Sequence, residues 1–239
     1  MPTKFIIKMK KLKLLLLVFV SVAFFACKDE SGEFARLILS DNEIEQGIKD
    51  CLNVSLDSAN AHLAVPNGFY QYNKNAYRIH FPVSVEKIID TLTEYGHREW
   101  IDSLIICVNR MAEANGSVYK VQIGSLIKNT TFHSPKTIIN GANNAATEYF
   151  KSMQLLPLID ILKPILAASM ETFDVNRRWH EIITFYASYD STPFIFDFQY
   201  DITRQIIENI IAEMAIEEKL IRQQESHRTT DILKKVFGN

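Results

Sequence analysis

Eight polar side chains sit on or beside the apolar faces of three periodic stretches, and a site could be built from them. Asn109, Arg110 and Glu113 follow Val108 directly, with Arg110 next to Met111 of an apolar stripe. Thr147, Glu148 and Tyr149 lie near the start of another helical stretch, where backbone N–H groups lack an intrahelical acceptor. Glu218 and Arg222 are four residues apart with the acid first, the favourable order for an ion pair on one helix face. If these groups converge, they form a buried polar network that fixes helix register, the floor of a ligand cleft, or a catalytic centre. A charge buried in any of these needs a partner, because unpaired burial costs several kcal/mol, roughly 3–5. An open concave arrangement favours a ligand, whereas a sealed and mutually paired one favours a structural role.

Other chemical patterns fall away on spacing. His180-Glu181 begins a zinc-binding H-E-x-x-H, but the second histidine position holds Thr184. The six histidines have no ligand spacing, so no metal site is expected. No phosphate-cradling glycine loop or nucleophile elbow is present, and no cofactor is implied. The adjacent acids Glu217 and Glu218 read as a solvated helix face. Enzymatic activity is left open, with a non-catalytic role favoured.

Cys27 offers a different chemistry. Five lysines (Lys4, Lys8, Lys10, Lys11, Lys13) precede an apolar run over 14–26, the charge-then-grease order of a secretory signal. The run is 13 residues, short of the ~20 needed to span a bilayer. "FFAC" at 24–27 resembles the lipobox of bacterial lipoproteins, although Phe24 stands where Leu is usual. That resemblance implies cleavage after Ala26, a diacyl group on the Cys27 sulfur and acylation of its new amine. Two or more chains anchor stably, whereas one binds marginally. Lys28-Asp29-Glu30 resembles an export signal that sends some lipoproteins to the outer face of the outer membrane. The reading is thus a signal peptide over 1–26, an acylated cysteine and tether over 27–39, and a domain over 40–239. The protein is expected at the bacterial outer membrane, held through its lipid, either surface-exposed or facing the periplasm.

Losing residues 1–27 removes five lysines and no acids, taking the formal charge from −2 to −7. An acidic chain is a poor non-specific nucleic-acid binder, so no nucleic-acid partner is expected. Cys51 and Cys107 remain, both beside apolar helical faces where cysteine acts as a small hydrophobe; an oxidising envelope would also permit a disulfide, which spacing does not settle.

The elements that would hold these residues are helical. Ser40-Asp41-Asn42-Glu43 forms a capping box ahead of Ile44, Ile48, Leu52, Ser55, Ala59 and Leu63 at helical spacing. Pro66-Asn67-Gly68 stops that helix. In 69–82, Tyr77, Ile79 and Phe81 alternate with Arg78 and His80, which reads as an extended loop packed on helices. Phe194, Phe196 and Phe198 alternate in the same way and could pair with it. Helices follow over 83–95 (ended by Gly96), through Ile101, Leu104, Ile105, Val108, Met111, Ala112 and Asn115, over 118–128, and over 134–140. Asn144 is read as the cap of the next. Residues 155–168 are apolar nearly all round, which implies burial on most sides, with Pro164 expected to kink the chain. A helix carrying Trp179, Ile182, Ile183 and Tyr186, the longest one over 197–224, and a short one over 230–237 complete a single-domain, all-α multi-helix bundle with one or two short extended segments.

"VNRMAEAN" (108–115), "INGANNAATEYFK" (139–151), "EEKLIR" (217–222) and "RTTDILKKVFGN" (228–239) resemble a bacterial family, domain of unknown function 4197. "GFY" (68–70) and "RIHFP" (78–82) are similar to its early segment. Met111 stands where the family usually has alanine, and Asn144 where it usually has aspartate. Both residues at the second position cap helices, but asparagine weakens any metal or general-base role there. The resemblance implies an all-helical domain, often behind a signal or lipoprotein leader, and no reaction. The expected function is a lipid-anchored envelope protein that binds or scaffolds an unidentified protein or small molecule without catalysis. The alternative is a small-ligand receptor or enzyme using the polar cluster, and a weaker option is a partner surface formed by the aromatic residues of 69–81.

Overall fold

The computed structural model describes residues 39–238, and its first helix, α1 (Asp41–Leu63), starts at the capping box. The Ser40 hydroxyl accepts from the Glu43 N–H while the Glu43 carboxylate accepts from the Ser40 N–H, so two free donors of the first turn are satisfied reciprocally. Nine more helices follow among the described residues: α2 (Gly68–Asn75), α3 (Glu86–Glu94), α4 (Arg98–Ala114), α5 (Gly116–Asn129), α6 (Pro135–Ile139), α7 (Ala145–Thr172), α8 (Val175–Ala187), α9 (Phe198–Gln223) and α10 (Asp231–Phe237). No strand occurs among these residues, and the chain is an all-α, multi-helix fold. Cys27, Lys28, Asp29 and Glu30 lie outside the described residues.

The core is organised around α9. Its Ile206, Ile207, Ile210, Ile211, Met214 and Ile221 are buried at helical spacing, and α1 and α7 pack along it. Contacts run Cys51 toward Glu218 and Arg222, Ser58 to Glu217 and His62 to Glu213, so α1 and α9 are antiparallel. Thr147 meets Glu218 while Lys163 meets Asp197, so α7 is antiparallel to α9 as well. The N-termini of α1 and α7 therefore share one end of the bundle with the C-terminus of α9. There α10 lies across α1 at Gly47, where a side chain would put its Cβ 2.6 Å from Val236 Cγ2. At the other end, Gly96 with φ +76° turns the chain between α3 and α4, the left-handed position expected for it.

Four sequence expectations change. Residues 145–172 form one helix rather than two, running through both Pro157 and Pro164 without interruption. With 28 residues, α7 rather than α9, with 26, is the longest described helix. Burial of 155–168 on most sides is also wrong: the neighbouring helices, α9 foremost, cover the face carrying Leu158, Ile159, Leu162 and Leu166, while Leu156 is 65% exposed. Finally, Phe194, Phe196 and Phe198 do not pair with 77–81 as strands. Their rings pack instead on Trp179, which also stacks on Phe81, and Phe81 meets the Phe198 ring directly at 6.0 Å, so the two aromatic segments share one ring cluster.

Of the stretch 69–82 read as an extended loop, the part up to Asn75 instead belongs to the helix α2, and only 76–82 carry no helix; the backbone there has partners of another kind. The Asn109 amide accepts from the Ile79 N–H and donates to the Ile79 carbonyl, both at 2.9 Å. On the opposite side, Gln205 of α9 accepts from the His80 N–H and donates to its carbonyl, and Asn209 donates to the Tyr77 carbonyl. Side-chain amides from α4 and α9 thus stand in for neighbouring strands. That arrangement resolves how an isolated extended segment can be buried without orphaned peptide groups.

Candidate functional site

The eight candidate residues divide into two networks and two outliers. In the first, the Glu218 side chain is fully buried against the start of α7. Its Oε1 accepts from the Ala146 N–H at 3.0 Å and from Arg222 Nε at 2.9 Å. Its Oε2 accepts from the Thr147 N–H at 2.7 Å and from the Thr147 hydroxyl at 2.6 Å. An anion at the positive end of a helix with two free N–H groups is doubly favoured, by hydrogen bonding and by the helix dipole. Arg222 uses its remaining nitrogens on the carbonyls of Ile139 and Ile138, the end of α6, and lies 5.2 Å over the Phe237 ring. A single ion pair therefore caps two helices and touches a third. Asn144, expected as the cap of α7, makes no such bond; its amide reaches Glu148, and the capping role belongs to Glu218.

Near this network Cys51 is fully buried, and burial above all, with the Glu218 charge adding to it, pushes its thiol well up. Cys51 and Cys107 are both free thiols.

The second network hangs from α4. Asn109 is fully buried on Ile79 and also donates to the Ile105 carbonyl. Arg110 pairs with Glu113 at 2.6 Å and donates to the Asn67 side chain. Glu113 accepts from the Tyr70 N–H, and the guanidinium groups of Arg78 and Arg110 lie over the Tyr70 ring at 4.1 and 5.6 Å from its centre. These residues clamp the 67–80 segment onto α4. The remaining two candidates join neither group. Glu148 is exposed, and Tyr149 donates to the Thr131 carbonyl and accepts from the His133 N–H, pinning the loop before α6.

A third constellation, which sequence reasoning missed, lines the seam between α1 and α9. Glu213 and Glu217 are buried, and so is Glu218, which corrects the reading of 217–218 as a solvated face. The Glu213 carboxylate gathers His62 Nδ1 at 2.6 Å, the Tyr72 hydroxyl at 3.3 Å and the Tyr77 hydroxyl. The His62, Tyr72 and Tyr77 rings stack in sequence. Burial, then the neighbouring carboxylate, raises both phenols above their ordinary range. One turn along, Glu217 holds His227 Nδ1 at 2.6 Å and accepts from the Ser58 hydroxyl at 3.1 Å. The turn presenting the tyrosines is strained: Asn73, Lys74 and Asn75 all have positive φ, a conformation costing an L-residue ~1–2 kcal/mol. The missed signal was spacing, since Glu213 and Glu217 fall three and seven residues after Ile210, on the core-facing stripe.

Chemically, these groups hold helices and loops together. Among the described residues no serine or cysteine hydrogen-bonds a histidine, since the Ser58 hydroxyl is committed to Glu217. Nor do three of His, Cys, Asp and Glu come together as metal ligands among them. The hollows near the candidates are small and open. One of about 270 Å³ lies beside Arg78, His80 and Gln205, and one of about 380 Å³ lies on α7 beside Glu148, Lys151 and Leu156.

Residues 38–238 match the family described as a protein of unknown function, DUF4197. The chain belongs to that family. Every segment that resembled DUF4197 within the matched span contributes to one of the networks or to the core: 108–115 to the α4 clamp, and 139–151 with 217–222 to the double cap. No curated protein and no solved structure matches the chain.

Proposed function

We propose that this DUF4197 protein is a lipid-anchored envelope lipoprotein, acylated at Cys27 and held at the outer membrane, whose helical domain binds or scaffolds a partner without catalysis. The observation that carries the non-catalytic part is the sealing of the Glu218–Arg222–Thr147 network: Glu218 is 0% and Arg222 8% exposed, and every oxygen of the carboxylate already accepts two protein donors. A reactive group needs a free lone pair facing substrate, and this carboxylate has none to offer. The anchor rests on the charge, length and "FFAC" ending of the first 27 residues. Lys28-Asp29-Glu30 supports surface display over a periplasm-facing position. Replacing Cys27 by alanine abolishes incorporation of labelled fatty acid on this reading, and persistent labelling refutes it. Protease shaving of intact cells, with a periplasmic protein as the uncut control, separates the two orientations.

One feature favours the second reading, a small-ligand receptor or enzyme. His62 is 43% exposed while its Nδ1 is fixed on buried Glu213, an arrangement that holds an imidazole in one orientation. A bound small molecule that protects His62 from ethoxycarbonylation by diethyl pyrocarbonate would favour it over scaffolding.

A further inference from the structure

The α7 helix is more apolar than its place in the bundle requires. It is long and apolar enough to cross a membrane by composition, yet only 28% of its most apolar 18-residue window is buried. The buried side carries Leu158, Leu162, Leu166 and Met170, each fully enclosed by the core. The outward side carries Met153 (51% exposed) and Leu156 (65% exposed), with Pro157, Pro164 and Ala168 also exposed and a single acid, Asp160, between them. Lys163 lies two turns beyond Leu156 on the same side, where it pairs with Asp197 and stands 6.0 Å from the exposed Tyr200 ring. Two residues before Asp197, Ile195 is 94% exposed.

We propose that this outer face of α7, from Met153 to Pro164 with Tyr200 and Ile195 beside it, rests on the bilayer that holds the lipid of Cys27. The proposal depends on the acylation reading of the preceding section. The helix lies on the membrane rather than through it, because crossing would strip Leu158, Leu162, Leu166 and Met170 from the core. An interfacial helix needs an apolar face turned to the acyl boundary and a second face turned away from it, and here the bundle supplies the second face. Lys163 and Tyr200 at the border of the stripe suit the headgroup level.

Chain length places the membrane within reach. Residues 28–38 span at most about 40 Å when fully extended, at roughly 3.3–3.6 Å each. They arrive at Leu39, beside the start of α1, where Asp41 is 3.2 Å from Lys136 of α6. Arg222 ties the end of α6 to Glu218 at the start of α7, so the tether reaches the same end of the bundle as the first turns of α7. Met153 and Leu156 stand two to three turns in, about 12–17 Å at 1.5 Å per residue. A surface held permanently within that distance meets the bilayer at high effective concentration.

The experiment uses the mature acylated protein in phosphatidylglycerol–phosphatidylethanolamine vesicles with brominated acyl chains, carrying either Leu156→Trp or Gln71→Trp, with the emission of the parent protein, which comes from Trp100 and Trp179, subtracted. Gln71 is exposed on α2, at the far end of α1 from the tether. The expected result is emission at position 156 reduced about two-fold by brominated lipid, with no added quenching at position 71. Equal quenching at both positions, or none at either, overturns the docking. Intermolecular disulfides between two copies of a separate Leu156→Cys variant, without quenching of the tryptophan variant, overturn it in favour of self-association. The intact mass of the wild-type protein separates the two ideas. If the wild type carries no lipid by intact mass and position 156 is not quenched, both fall; if wild type is acylated and floats with vesicles but position 156 is not quenched, only the docking falls.

Discussion

Glu218→Gln is nearly isosteric and removes one charge from the centre of the bundle. The carboxylate it replaces accepts four hydrogen bonds, two per oxygen. The amide nitrogen must occupy one of those two positions. On the Oε1 side it opposes the Ala146 N–H and Arg222 Nε, both obligate donors. On the Oε2 side the Thr147 hydroxyl can rotate to accept, but the Thr147 N–H is stranded. Either rotamer also leaves the Arg222 charge, 8% exposed, without its counter-charge. Breaking a buried ion pair by removing one partner costs ~3–5 kcal/mol, and the retained size and partial hydrogen bonding of glutamine place this case near ~3 kcal/mol. For a domain of this size each kcal/mol moves Tm by ~2–4 °C, so the expected drop is ~6–12 °C. Urea unfolding followed by far-UV circular dichroism measures it, with Arg222→Met and the double variant closing a cycle. A coupling of ~1–3 kcal/mol between the two positions is expected. Wild-type stability for Glu218→Gln, within ~0.5 kcal/mol, refutes the argument that this pair caps α7 and α6.

Asn109→Ala strands both peptide groups of Ile79, at ~1–3 kcal/mol for each unsatisfied buried group; hydrogen exchange at the Ile79 amide accelerates far more than at α9 amides if the side-chain amide stands in for a strand. At low pH the start of α1 weakens in a defined window. Glu43 is lowered from 4.5 to about 2, chiefly by its hydrogen bond to Lys235 and then by Ser40. A depressed carboxyl contributes stability that is complete above its unfolded pKa and is lost as pH falls through the folded one. The urea midpoints of wild type and Glu43→Gln therefore differ at pH 6 and converge toward pH 2. Thiol labelling of the folded Cys27→Ala protein modifies Cys107, which is partly exposed, and spares Cys51 until unfolding, since burial holds that thiol protonated.

Helix positions were legible because periodicity, caps and Gly96 act locally. The Ser40–Glu43 box depends on residues three apart, and a sequence displays it directly; the Thr230 cap of α10 and the Asp197 cap of α9 span the same distance but were legible only as helix starts. What a sequence hides is which distant group answers a local need. The N–H groups at the start of α7 are capped by Glu218, 71 and 72 residues away, so Asn144 looked like the cap. Residues 155–168 looked enclosed because composition says how greasy a helix is, whereas burial depends on how many neighbours arrive to cover it. Glu217 looked like surface charge, and Glu213 drew no reading, because their partners, His62, Tyr72, Tyr77, Ser58 and His227, come from α1, the strained turn and the chain after α9. Six of the eight candidate residues fall into two separate networks, whereas Glu148 is exposed and Tyr149 pins a loop, because convergence into one site is a property of tertiary packing.

The central claim is that the helical domain hangs from a lipid on Cys27. Intact-mass and N-terminal peptide analysis of the protein extracted from membranes tests it most directly. The account predicts a chain beginning at Cys27, with a diacylglyceryl group on sulfur and an acyl group on the amine. A mature chain with an unmodified Cys27 thiol, or one retaining residues 1–26, contradicts it.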